Sequence, residues 1–95
     1  MAPNADTEAR YLTVRHGDDL DADDFKALQT VRLTLLGLMG HGAIAELNTY
    51  SDHDSTTWSY LPGDEDPDGI MVGLVDVVTA IAPWWHLSPS SGAPG

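Results

Sequence analysis

Apolar and polar positions change period several times along the chain, and each change marks an element. Arg10-Tyr11-Leu12-Thr13-Val14-Arg15 alternates and is rich in β-formers, with Leu12 and Val14 on one side, which predicts a strand. His16-Gly17-Asp18-Asp19 breaks it. From Phe25 to Met39 the period becomes helical. Phe25, Leu28, Val31, Leu35, Leu36, Leu38 and Met39 fall on one wide stripe, with Lys26, Gln29, Thr30 and Thr34 off it. Asp21 is placed to cap this helix, and Asp23 and Asp24 lie in its first turn, where the helix dipole favours negative charge. Gly40-His41-Gly42 supplies the stop.

Ala43 to Tyr50 fits two patterns, a short helix around Ile44, Leu47 and Asn48 or a strand leading into a hairpin. Ser51 to Ser55 is a loop in either case. Thr56-Thr57-Trp58-Ser59-Tyr60-Leu61 reads as a strand with Trp58 and Tyr60 on one face. An acidic turn from Pro62 to Gly69 follows, with Asp68 positioned to cap a last helix over Ile70 to Ala82, which ends before Pro83.

That last helix is apolar around most of its circumference. Ile70, Met71, Val72, Leu74, Val75, Val77, Val78 and Ile81 leave only a thin strip of Gly69, Gly73 and Asp76. A helix of this kind is buried on most sides. It is therefore expected either to be the central element of the core or to dock one face, including Met71 and Val78, on another chain. Trp84-Trp85-His86-Leu87 comes directly after it. Adjacent tryptophans do not easily point the same way, so either one seals the core while the other stays available, or both cap the bottom of a small core. Trp84, Trp85 and Leu87 join the candidate partner-binding residues.

The expected fold is α+β: a single small domain over residues 10–87, two main helices packed with a short strand and a hairpin. Flexible tails are expected at 1–9 and 88–95. The alternative is an all-α arrangement in which short helices replace the hairpin. Val31-Arg32-Leu33-Thr34-Leu35-Leu36-Gly37-Leu38-Met39, then Ala43-Ile44-Ala45-Glu46-Leu47 and Thr56-Thr57-Trp58-Ser59-Tyr60-Leu61, resemble the three-helix core of bacterial winged-helix regulators. That resemblance covers about a third of the chain and implies a degenerate winged-helix-like fold. The segment matching its recognition helix has no Lys or Arg, and Asp52 and Asp54 sit in its approach, so DNA binding would be lost.

Charge narrows the partners. Fifteen carboxylates face four Lys and Arg among 95 residues, a formal charge of −11. Such a field repels phosphate backbones and anionic lipid surfaces and favours a basic protein or a cation. There is no cysteine, which excludes disulfides, thiolate metal sites and a cysteine nucleophile. The N-terminus lacks the basic start and apolar run of a signal peptide, and the apolar stretch from Ile70 to Trp85 is interrupted by Gly73, Asp76, Thr79 and Pro83. A cytoplasmic location is expected. One Lys beside many Ala, Gly and Asp hints at a bacterial or phage source.

The candidate chemistry is thin. Asp64-x-Asp66-x-Asp68-Gly69 opens like a calcium loop, yet its ninth and twelfth positions are Val72 and Val75 and Pro67 intrudes. Asp52-His53-Asp54 sets an imidazole between two carboxylates. No phosphate loop, HExxH or GxSxG motif occurs, so no enzyme activity and no cofactor is expected. The leading expectation is a small acidic protein-binding accessory (adaptor, inhibitor or assembly subunit) whose partner is another chain or a second copy. A nucleic-acid mimic is the first alternative, and it requires the acidic runs at Asp18–Asp24, Asp52–Asp54 and Asp64–Asp68 to line one face. A weak divalent-cation module is the second.

Arg32 lies within the apolar stripe of the first helix and is expected either to reach its edge or to form an ion pair with Asp76. The two cases separate in a stability measurement. Arg32→Met is tolerated, within about 0.5 kcal/mol by urea denaturation, if the side chain reaches solvent. It costs several times that if Asp76 is left buried and unpaired.

Overall fold

The computed structural model describes residues 9–91. In chain order the elements are β1 (Arg10–Arg15), α1 (Ala22–Gly40), β2 (Ile44–Ser51), β3 (Ser55–Pro62), α2 (Pro67–Ile81) and β4 (His86–Ser91). The strands form one antiparallel sheet in the order β2-β3-β1-β4, with Leu12 opposite Trp58 and Val14 opposite both Thr56 and Leu87. This β-α-β-β-α-β order is the split β-α-β, or ferredoxin-like, arrangement.

The sheet replaces the expected strand and hairpin. Residues 44–51 pair with 55–62 as strands, Thr49 opposite Trp58, so neither the all-α nor the winged-helix-like alternative holds. The reason lies in burial. Trp58 and Tyr60 bury their side chains only if β3 keeps its alternation against a helical layer. The fourth strand occupies part of the expected C-terminal tail, Ser88 pairing with Thr13 and Pro89 with Leu12. Ser and Pro carry no strand signal of their own, and Pro is tolerated because β4 is an edge. Residues 1–8 and 92–95 of the two expected tails lie outside the described residues.

The core fills one side of the sheet. Leu12 and Val14 point inward while Tyr11 and Thr13 face the other way, where the Thr13 hydroxyl shares a 2.9 Å hydrogen bond with Thr57. Ala27, Val31 and Leu35 of α1 and Met71, Leu74 and Val78 of α2 close over the inward face. Asp21 caps α1 in a reciprocal capping box with Asp24, as its position implies. The buried stripe, however, runs through Asp24, Ala27, Val31 and Leu35, leaving Phe25 at 59% exposure with Leu33, Leu36 and Met39 also exposed.

α2 is likewise not the central element. Only Pro67, Met71, Leu74 and Val78 are buried, and Val72 is 63% exposed. The helix lies in an outer layer with the sheet beneath it. Its cap is Asp66 rather than Asp68, because Pro67 at the first helical position starts the helix three residues earlier than the apolar run does. Among the described residues, no helix is long and apolar enough to cross a membrane.

Two turns meet closely at the end of the sheet where β2 begins. The Asp64 amide donates to the Gly42 carbonyl at 2.8 Å, and a Cβ at Gly63 would collide with the Gly42 carbonyl and the Ala43 backbone. Gly42 itself has φ +79°, a left-handed conformation that glycine adopts freely. Gly73, inside α2, meets nothing within 4 Å at the same virtual Cβ. Gly63→Ala is therefore expected to lower stability by about 2 kcal/mol or more. Gly73→Ala should raise it by about 1 kcal/mol through helix propensity. Urea unfolding of the two variants checks both signs.

Candidate functional site

The acidic runs lie at opposite ends of the sheet. The His16 and Gly17 amides both donate to the Asp54 carbonyl at 3.0 Å, so the loop after β1, which carries Asp18 to Asp24, joins the β2–β3 turn with Asp52 to Asp54. The Asp64–Asp68 run belongs to the other end, beside Gly42. The three runs do not line one face, as imitation of a nucleic acid requires.

Most of the singled-out acidic residues have local structural roles. Asp66 caps α2, and Asp68 accepts from the Arg10 Nε at 3.0 Å. Arg10 is the buried cation of the fold, 3% exposed, on the same inward side of β1 as Leu12 and Val14. The sequence signal for it is its place in that alternation, two residues before Leu12. The Arg32–Asp76 ion pair does not form. Arg32 is exposed on the side of α1 that overhangs β2, lining a shallow groove with Phe25, Leu28 and Thr49, while Asp76 lies on the solvent side of α2.

Asp52, His53 and Asp54 bring one potential ligand atom each to within 4.8 Å of one another, the only such group among the described residues. His53 Nδ1 is 3.0 Å from Asp52 Oδ1, which raises the His53 pKa and, with the His53 amide bonded to the same carboxylate, lowers that of Asp52. The side chains of Asp52 and His53 are solvated at the tip of the turn. Asp64 and the residues after it make no comparable cluster.

The tryptophans divide between core and surface. Trp85 is buried and Trp84 is 52% exposed. Both indole N–H groups donate to the same oxygen, Asp24 Oδ1, at 2.8 Å, while Asp24 Oδ2 accepts from the Asp21 amide. The Trp84 bond, then the Asp21 amide, hold the Asp24 carboxyl down at about 2, against the opposing effect of burial. Trp85 also stands 6.1 Å from the His16 ring. This cluster ties the start of α1 to the α2–β4 connection. The remaining candidate contact residues are not available to a partner: Met71, Val78 and Trp85 are core residues, and Leu87 packs half-buried against that core. Trp84 alone keeps an exposed face.

What the sequence did not reveal is a cleft between the helices. Its larger part, 560 Å³, is lined by Thr34 and Leu38 of α1, by Gly69, Ile70, Gly73 and Val77 of α2, and by Glu65 and Asp66 at its end. Leu74 forms the floor. A second, separate hollow of 280 Å³ lies nearer the tryptophans, between Asp23, Lys26, Ala27 and Thr30 on one side and Ile81 and Trp84 on the other. The Thr30 and Thr34 hydroxyls donate back to the Lys26 and Thr30 carbonyls at 2.9 and 2.8 Å, so they are satisfied within α1 and present little polarity to the cleft. Glycines one turn apart, Gly69 and Gly73, leave the α2 wall low. The signal available in sequence was the thin Gly69-Gly73-Asp76 strip, which reads equally as a solvent stripe.

No family model, curated protein or solved structure matches the chain.

The shared carboxylate acceptor has a measurable consequence. Asp24 is acidified on folding, so its contribution is complete above its ordinary value of 3.8 and is lost as pH falls through about 2. Asp24→Asn is expected to cost about 2 kcal/mol at pH 7. Its deficit relative to the unaltered protein should shrink between pH 4 and pH 2. Tryptophan-monitored unfolding across that range tests this, and a deficit independent of pH contradicts the indole–carboxylate assignment.

Proposed function

We propose that the protein is a small acidic protein-binding accessory, an adaptor, inhibitor or assembly subunit, and that its helix layer is the contact surface. The carrying observation is the apolar cleft between α1 and α2, with half-exposed Trp84 lining the smaller hollow beside it. Apolar side chains clustered around a concavity, with carboxylates at its rim, have the composition of an interface core and its polar border. This position replaces the inward-facing residues of α2 as the partner-binding surface. A cytoplasmic setting accords with the cysteine-free composition.

The other surfaces support the reading less well. The open face of the sheet presents hydroxyls and Tyr11 without a comparable apolar hollow, and the acidic runs are divided between two ends. A photo-crosslinking residue placed at Thr34 or Val77, which line the cleft from the two helices, in cells that make the protein, is expected to yield a discrete adduct. The same residue at Thr13, on the opposite face, should yield none. Adducts from Thr13 alone, or from no position, would overturn the assignment.

A further inference from the structure

We infer that the occupant of the α1–α2 cleft is an amphipathic helix of a partner protein, with a short apolar stripe and Lys or Arg at both of its ends. The inference rests on the helix layer being the contact surface and adds the chemistry of what binds there.

Length is the first argument. The two hollows together run along α1 from Asp23 to Leu38. At 1.5 Å per residue these fifteen steps make about 22 Å, the length of a helix of about 15 residues. Both walls are helices, and an amphipathic helix laid between them would bury its apolar face in the way helix-in-groove recognition does. The low wall at Gly69 and Gly73 is the second argument. Absent side chains there let a third backbone approach α2 closely, and the added Cβ at Gly73 would meet only open space. The internally bonded threonines make the opposite wall effectively apolar.

Charge decides the ends of the occupant. Glu65 and Asp66 close the cleft at one end and Asp23 lies at the other. Lys26 is the single cation at the cleft, beside Asp23. The other three cations are elsewhere: Arg10 buried on the helix side of β1 against Asp68, Arg15 near Asp54 and Arg32 over β2. A fatty acid or an acidic helix would bring negative charge to a carboxylate rim, whereas Lys or Arg at each end of the helix would meet one. A second copy of this chain is disfavoured for the same reason, each carrying a formal charge of −11.

The test uses the full chain, isotope-labelled for NMR, and three synthetic peptides of about 15 residues with an identical leucine stripe at helical spacing. One carries Lys at both ends, one Gln and one Glu. The Lys peptide is expected to shift the amides of Thr34, Leu38, Gly69, Gly73 and Val77. It should bind about tenfold more tightly than the Gln peptide and lose that advantage in 0.5 M salt. The Glu peptide should not bind. Gly73→Leu, which fills the cleft while improving helix propensity, should weaken binding about tenfold or more without lowering the melting temperature. Glu65→Lys, away from the core, should weaken the Lys peptide selectively.

Equal cleft binding by the Gln or Glu peptide would remove the cationic occupant while leaving the helix layer as the contact surface. Binding by the Lys peptide that ignores Gly73→Leu, or shifts scattered over the acidic loops, would mean adhesion by charge alone and defeat the inference. Binding by no peptide defeats it too, as do concentration-dependent cleft shifts without peptide, which reveal self-association. The crosslinks from Thr34 and Val77 judge the underlying assignment separately.

Discussion

Leu12 and Val14 are fully buried beneath the two helices, and their strand is hydrogen-bonded on both edges, to β3 and to β4. The rest of the architecture hangs on that placement. With β1 in the centre, β3 must run antiparallel beside it, which turns Trp58 and Tyr60 inward to the same side. The helices then cover a single face, and each can bury only the stripe that meets the sheet. The apolar surplus of both helices is left over from this geometry rather than absorbed by it.

Polar groups inside the structure are positioned to close its two ends. At one end Asp24 receives two indoles and a backbone amide, joining the first helix to the chain entering β4. At the other, Arg10 reaches Asp68, and the Tyr60 hydroxyl donates to the Pro67 carbonyl at 2.9 Å. Burial pushes the Tyr60 phenol up to about 12, so its neutral form is the one the fold holds. The buried charges are thus held by directed hydrogen bonds, as the cost of burying an unpaired ion demands. Among the described residues no buried side-chain polar atom lacks a partner.

The helix layer follows from the same constraints. α1 and α2 must each reach the sheet, yet Gly69 and Gly73 leave gaps between Ile70 and Val77 on the α2 flank toward α1, so the space between the helices is not filled from within. What remains is an apolar cleft with carboxylates at its ends. Part of the acidity is used locally, capping helices and binding Arg10, and Asp66 caps α2 while also standing at the cleft rim beside Glu65.

Much of the local structure was legible in the residues. The alternation of Arg10 to Arg15, the Asp21 cap of α1 and the strand around Trp58 and Tyr60 all stand where period and propensity put them, because each depends on neighbours close in sequence. The opposed fates of Trp84 and Trp85 were not settled by their adjacency, which fits equally with both capping the core. Nor was the fourth strand legible, since Ser88, Pro89 and Ser90 become a strand only because β1 has an open edge to offer. The site was the least legible part. Met71 and Val78 looked available and Asp24 looked like one more first-turn acid, because sequence gives the circumference of a helix but not which side the sheet takes. Sequence by itself determined the first strand, the first helix with its Asp21 cap, the strand around Trp58 and the charge. Tertiary structure alone decided which faces were buried, which carboxylate received the tryptophans and where a cleft was left, since those depend on the distance between groups about 60 residues apart in the chain.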